Sequence, residues 1–450
     1  MIPWRLRRKL EQLWLESFRF LPGDDTWEVN QGDATASLIA VGDIALGDGV
    51  EKSVAERGVS HILRPVRELF AGADLRVGNL ESVLTSEQQR AVPTGAALKA
   101  SPAAIEVLCD AKFDALTVAN NHCLDYGVTG LRQSLGILQS HGIGVCGDPA
   151  TDPNLPRAAR MSAKGLNVTM LGICDEYPAR LASGPLQDDD STIASIREFK
   201  EQSDVVILQV HWGYEFVLFP LFGHRERARR FADAGADLVL IHHAHVPMGI
   251  EIWNDRVIAY GLGNFVFDVN AYQRDGHPFT DRTVLLKISF GHQGVRRVQA
   301  VPVGTRRDDS VHPLEGKKRA QVLGCLRRIS QRVADDNWLK RIERDRILRE
   351  SIEFLTYFRD QGASGNSGVL EDRAWFLRSP RQCALVRQLP KSSRRGEEIA
   401  ATLQLIAEAA ESQDQLLALA SDLANGGRAR MLAEFSREAR LPAEALGRLP

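Results

Sequence analysis

The chain has 450 residues, long enough for one large core and a further unit, because single cores stop growing at ~250–300 residues. With 25% charged residues, 44% hydrophobic residues and a formal net charge of -2, it has the balance of an ordinary globular protein and offers no electrostatic footing for a nucleic-acid partner. Its six cysteines (Cys109, Cys123, Cys146, Cys174, Cys325 and Cys383) form no C-x-x-C pair, so free thiols in a reducing, cytoplasmic setting are the expectation.

Residues 1–35 are expected to form an amphipathic helix and a lead-in. Within residues 1–20, a helix would gather Trp4, Leu10, Leu13, Trp14 and Phe18 on one broad stripe, with Arg5, Arg7, Arg8 and Lys9 among the charges elsewhere. Glu11, Gln12, Glu16 and Arg19 interrupt the apolar residues, a pattern of neither a signal peptide nor a spanning helix. The stripe either docks on the chain's own domain or makes peripheral contact with a membrane, as basic amphipathic helices do.

Residues 36–308 alternate short β-branched runs with helical stretches, the pattern of an α/β domain. Strands are predicted at 37–41, 113–118, 168–173, 204–210, 237–241, 257–260, 283–289 and 298–303, most of them apolar on both faces as buried strands are. Helical spacing marks 102–109, 128–140, 192–200 and 224–234, with Gly142 and Gly235 as C-terminal stops. From residue 309 to 450 a helical extension is expected: Val322, Leu326, Ile329 and Val333 recur at helical intervals, and 397–435 is rich in Ala and Leu.

Polar residues recur where the predicted strands end, which is where α/β sheets bind ligands. Asp43 follows an apolar run and Gly42, expected to turn the chain at the strand exit. Asn79 and Glu81 follow a short strand at 74–77, and Asn120, Asn121 and His122 follow Val118, with Asp125 just beyond. His211 caps another strand, and His242, His243 and His245 crowd one turn after Ile241. Imidazoles gather in this way mainly around a cation, and the mixed N/O set suits one or two divalent ions of Mn, Zn or Fe better than Ca²⁺. The segment 260–268, with Asn264 at its centre, is either a tight turn closing the sheet or part of the site.

Taken in order, G-D, N-L-E, A-N-N-H-x-L-D-Y-G, H-W-G-x-E, H-H-x-H-V and G-L-G-N-F-V-F-D resemble the bacterial capsule-synthesis CapA family, a branch related to the calcineurin-like metallophosphoesterases. The resemblance spans about residues 39–268. It implies a four-layer α/β/β/α sandwich and an association with capsule or poly-γ-glutamate production. It further implies Glu81 as a bridging carboxylate, with Asn121, His211 and His243 at one metal position and Asp43 and His245 at the other. His122 would then be the acid or base beside the metals, oriented by Asp125, with Asn79, Asn120, His242 and Asn264 in supporting or substrate-binding places.

The sequence departs from the phosphoesterase pattern at Ala45, where that pattern has a histidine two residues after the first aspartate. His242 substitutes for the lost ligand, or that ion is weakly held, or one ion binds. The expected substrate is anionic or peptide-like, and three activities fit the residues. They are hydrolysis of a phosphoester or amide, epimerase-like proton transfer on a peptide, and a non-catalytic accessory role in polymer synthesis or export.

Overall fold

The computed structural model describes residues 25–91, 97–147, 158–175, 189–268, 279–341 and 343. The amphipathic segment 1–20, Cys383 and most of the expected helical extension lie outside the described residues. Among the described residues, no cysteine forms a disulfide.

Two sheets form the middle of the fold, beside a short parallel pair, β4 (Val83–Leu84) and β5 (Lys99–Ala100). In the first, β1 (Thr26–Glu28), β16 (Gly294–Thr305), β15 (Arg282–Gly291), β2 (Ala36–Ile44), β3 (Leu75–Leu80), β6 (Ala115–Thr117) and β7 (Gly144–Cys146) lie in that spatial order. To this path β14 (Asn264–Val266) adds beside β2, and β17 (Val311–Pro313) beside β16. The run β2-β3-β6-β7 is parallel, whereas β15, β16 and β1 continue the sheet antiparallel. The second sheet is ordered β12 (Ile250–Trp253), β13 (Arg256–Ala259), β11 (Leu238–His242), β10 (Val205–His211), β9 (Leu166–Cys174) and β8 (Ala158–Ala163). Its four central strands are parallel and its two edges antiparallel.

Strand alternation explains the layering. On β2, Leu38 and Ala40 turn inward to a core shared with Val168, Met170, Val206 and Leu208 of the second sheet. Their neighbours Ile39 and Val41 turn outward to Leu131, Leu135 and Leu138, which recur at helical intervals on Gly127–Ser140. Helix Phe222–Ala234 buries Ala228, Phe231 and Ala232 at the second sheet, so helices close both outer faces of an α/β/β/α sandwich. The two sheets approach closely at Gly172, where a Cβ would stand 2.3 Å from Thr117 Oγ1.

Gly42 does not end a strand as expected from the sequence: β2 runs on through Asp43 to Ile44, with an irregular register between Ala40 and Asp43. The lead-in contains β1, which pairs with β16. The first compact unit runs to Ala334 and takes in β17 and helix Gly316–Val333, which buries Val322, Leu326, Ile329 and Val333. Long-range pairing with β16 places β17 there, and local spacing carries no trace of it. Among the described residues, no helix is long and apolar enough to cross a membrane.

Candidate metal centre

Parallel strands bring their carboxyl ends to one edge of each sheet, and the candidate residues meet there. Asp43 comes from β2, Glu81 directly follows β3, Asn120, Asn121 and His122 lie beyond β6, His211 ends β10, and His242 ends β11. A bare backbone makes room for the first carboxylate. A Cβ on Gly42 would lie 1.8 Å from Gly263 O, and Gly263 adopts φ +87°, a conformation that glycine takes without steric cost. Asp43 N–H donates to Gly263 O at 3.0 Å, and β14 then pairs with β2 so that Asn264 stands opposite Asp43. The segment 260–268 is therefore both a close turn and a contributor to the site.

Asparagines brace this floor. Asn79 Nδ2 donates to Asp43 Oδ1 at 2.9 Å, and Asn120 Nδ2 donates to Asn79 Oδ1 at 3.1 Å and to Leu80 O at 2.8 Å. Asn120 Oδ1 accepts the His122 N–H at 3.1 Å, which fixes the turn that presents His122. Across the gap between the sheets, His211 Nε2 lies 2.8 Å from Asn121 Oδ1, and the His211 and His243 rings stand 4.8 Å apart.

The three histidines after β11 have different surroundings. His242 is held between Gln209 Oε1, 2.6 Å from its Nε2, and Asp43 Oδ1, 3.0 Å from its Nδ1. His245 Nδ1 is 2.8 Å from Asn264 Oδ1, and Asn264 Nδ2 donates to Thr280 O at 3.3 Å. An amide oxygen can only accept, so Nδ1 carries the proton and Nε2, 3.6 Å from Glu81 Oε1, is the ligand-competent nitrogen. His243 and His245 both have positive φ, 87° and 57°, a strained state that costs about 1–3 kcal/mol each and that surrounding structure must enforce. Ligand atoms of Asp43, Glu81 and His245 lie within 4.8 Å of one another.

The electrostatics fit a cation. Glu81 is fully buried, and neither of its carboxylate oxygens has a hydrogen-bond partner; nor has Asp43 Oδ2. Orphaned buried acceptors are rare, and a bound cation satisfies them. Burial raises the Glu81 carboxyl above its ordinary range. Burial pushes Asp43 the same way, but the imidazoles of His242 and His245, 3.0 and 3.5 Å from its carboxylate oxygens, outweigh it and hold Asp43 well below the usual carboxylate range. Burial keeps His211 and His243 in their neutral, ligand form, and the neighbouring histidines add to the effect, His243 first at His211 and His245 at His243. His245 is the exception: burial opposes its charge, yet the Glu81 and Asp43 carboxylates push it up to about 10. Asp43, Glu81 and His245, with the neutral imidazoles of His211 and His243 alongside, form a donor set that Mn²⁺, Zn²⁺ or Fe²⁺ accepts.

At the mouth, His122 is partly exposed, with Nδ1 2.8 Å from Asp125 Oδ2 and Nε2 3.9 Å from Glu81 Oε1. Asp125 Oδ2 also accepts the Leu98 N–H at 2.8 Å. The structure thus gathers Asp43, Glu81, Asn121, His122, His211, His243 and His245 around one opening, while Asn79, Asn120, His242 and Asn264 hold them from behind. Sequence reasoning passed over Gln209, whose signal was an amide inside an otherwise apolar strand, and Glu215, which closes the H-W-G-x-E motif and lies with His243 and His245. It also missed the aromatic wall of Phe216 and Phe267, whose rings stand 6.0 and 5.2 Å from that of His245.

Residues 37–269 match the model of a family described as bacterial capsule synthesis protein PGA_cap. The chain is 32% identical over 279 residues to the PGA biosynthesis protein CapA of Bacillus subtilis (strain 168), covering 60% of this chain and 72% of that one. It is 26% identical over 284 residues to the capsule biosynthesis protein CapA of Bacillus anthracis, covering 59% and 67%. A Mycobacterium tuberculosis protein named "Probable polyglutamine synthesis accessory protein" is 28% identical over 212 residues, covering 43% and 56%.

Proposed function

The chain belongs to the bacterial capsule synthesis PGA_cap family, and from that premise we propose that it is a divalent-metal hydrolase of phosphoester or amide bonds serving a capsule or poly-γ-glutamate-type polymer. The observation that carries the reading is Glu81: a fully buried carboxylate with both oxygens lacking a hydrogen-bond partner, set between Asp43 and His245 on one side and His122 on the other. A structural polar cluster would have satisfied those oxygens.

Asp43, Glu81 and His245 would hold an ion, with Asn121, His211 and His243 completing the coordination or a second position. When bound, the ion supplies Lewis acidity toward water and toward a phosphoryl or carbonyl oxygen. The chain's own residues do the rest. Asp125 accepts the Nδ1 proton of His122, which orients the ring and leaves Nε2 to take a proton from the nucleophile or to give one to the leaving group. Asn120 fixes the His122 backbone, and the Leu98 N–H fixes Asp125, so the pair is positioned before substrate arrives. Phe216 and Phe267 exclude water from the His245 side.

The test is hydrolysis of a γ-glutamyl peptide and of a generic phosphodiester by the full chain, assayed after chelation and after reloading with Mn²⁺ or Zn²⁺. Activity that disappears on chelation and returns on reloading supports the hydrolase. Metal retained at stoichiometry with neither bond cleaved overturns it in favour of an accessory role, and exchange of the peptide α-proton without cleavage overturns it in favour of an epimerase.

A further inference from the structure

We propose that Glu215 is a carboxylate ligand of the metal centre, joining His243 and His245 on its solvent side; this rests on the metal-dependent reading above. Its carboxylate oxygen and one ring nitrogen from each histidine lie within 4.8 Å of one another, although Glu215 itself is exposed. Two imidazoles and one carboxylate form a donor set common to zinc and non-haem iron sites.

The loop that carries Glu215 is fastened to the histidine turn. Phe216 N–H donates to Ala244 O at 2.8 Å, and Ala244 is the residue between the two histidines. Gly213 at φ 114° lets the chain turn as it leaves β10, and Phe216 at φ 62° carries it past the histidines, with its ring 6.0 Å from that of His245. Glu215 is therefore held beside the imidazoles by the main chain of Phe216, the next residue, unlike a surface carboxylate on a free loop.

Chemistry also leaves room for it. His242 Nε2 is taken by Gln209 Oε1 at 2.6 Å, and its Nδ1 faces Asp43 Oδ1 at 3.0 Å, so this imidazole is turned to the floor of the site. With Glu215, the centre carries three carboxylates, Asp43, Glu81 and Glu215, enough negative charge for more than one divalent ion.

The experiment titrates the full-length wild type, Glu215→Gln and Glu215→Ala with Co²⁺, reading both the dissociation constant and the d–d absorption spectrum. Loss of a ligand predicts affinity weakened about 10-fold or more in both variants, together with a changed spectrum. Unchanged affinity overturns the assignment. Weaker affinity with an unchanged spectrum also overturns it, because that outcome is a charge acting through space. A wild type that binds no Co²⁺ overturns the metal centre itself, whereas a binding wild type with indistinguishable variants removes Glu215 alone.

Discussion

His122 Nδ1 lies 2.8 Å from Asp125 Oδ2, while its Nε2 faces Glu81 Oε1 at 3.9 Å. One nitrogen is thereby committed to orientation and the other is presented to the centre. A proton-transfer group in this position contributes about 10²–10⁴ in rate, so His122→Ala should lower turnover by about that factor and leave metal content unchanged. Asp125→Asn should lower turnover less, because it disturbs the ring's tautomer and leaves the ring in place. Steady-state kinetics beside metal analysis checks both; metal lost from His122→Ala would make His122 a ligand.

Glu81 should show opposing effects on stability and metal binding. In metal-free protein its buried carboxylate lacks hydrogen-bond partners, so Glu81→Gln, neutral and of the same shape, should stabilise the chelated protein by about 1–3 kcal/mol. Added Mn²⁺ or Zn²⁺ should then raise the melting temperature of the wild type and not that of the variant. A chelated variant that melts below the chelated wild type would contradict this.

Gly42 has no room for a side chain. Its Cβ would lie 1.8 Å from a backbone oxygen of Gly263, which cannot move aside as a flexible side chain can. Gly42→Ala should cost about 3 kcal/mol or more in chemical denaturation and separate β14 from β2, displacing Asn264 from His245. Wild-type stability in that variant would remove the Gly42–Gly263 contact from the account of the site.

The candidate ligands were legible because each follows an apolar strand: Asp43, Glu81, Asn121, His211 and His243 can be read from a period-2 or fully buried run ending in a polar residue. Helices 127–140 and 222–234 were equally plain, their leucines and alanines recurring at helical spacing. What depends on distant partners was not legible. The strand character of 264–266 comes from pairing with β2, more than 200 residues earlier, and β17 exists because β16 is beside it. The inward turn of His242 depends on Gln209, which lies on a neighbouring strand. Gly42 read as a turn for the same reason: a glycine required by the close approach of a second strand has the same local pattern as one that bends the chain.

The central claim is that His243, with Glu81 and the residues around them, holds a divalent ion. Metal content per chain, determined by plasma mass spectrometry on wild type and His243→Ala purified side by side, tests it most directly. The account predicts one or two equivalents of Mn, Zn or Fe in the wild type and loss of at least one from the variant; equal metal in both, or none in the wild type after incubation with each ion, would contradict it.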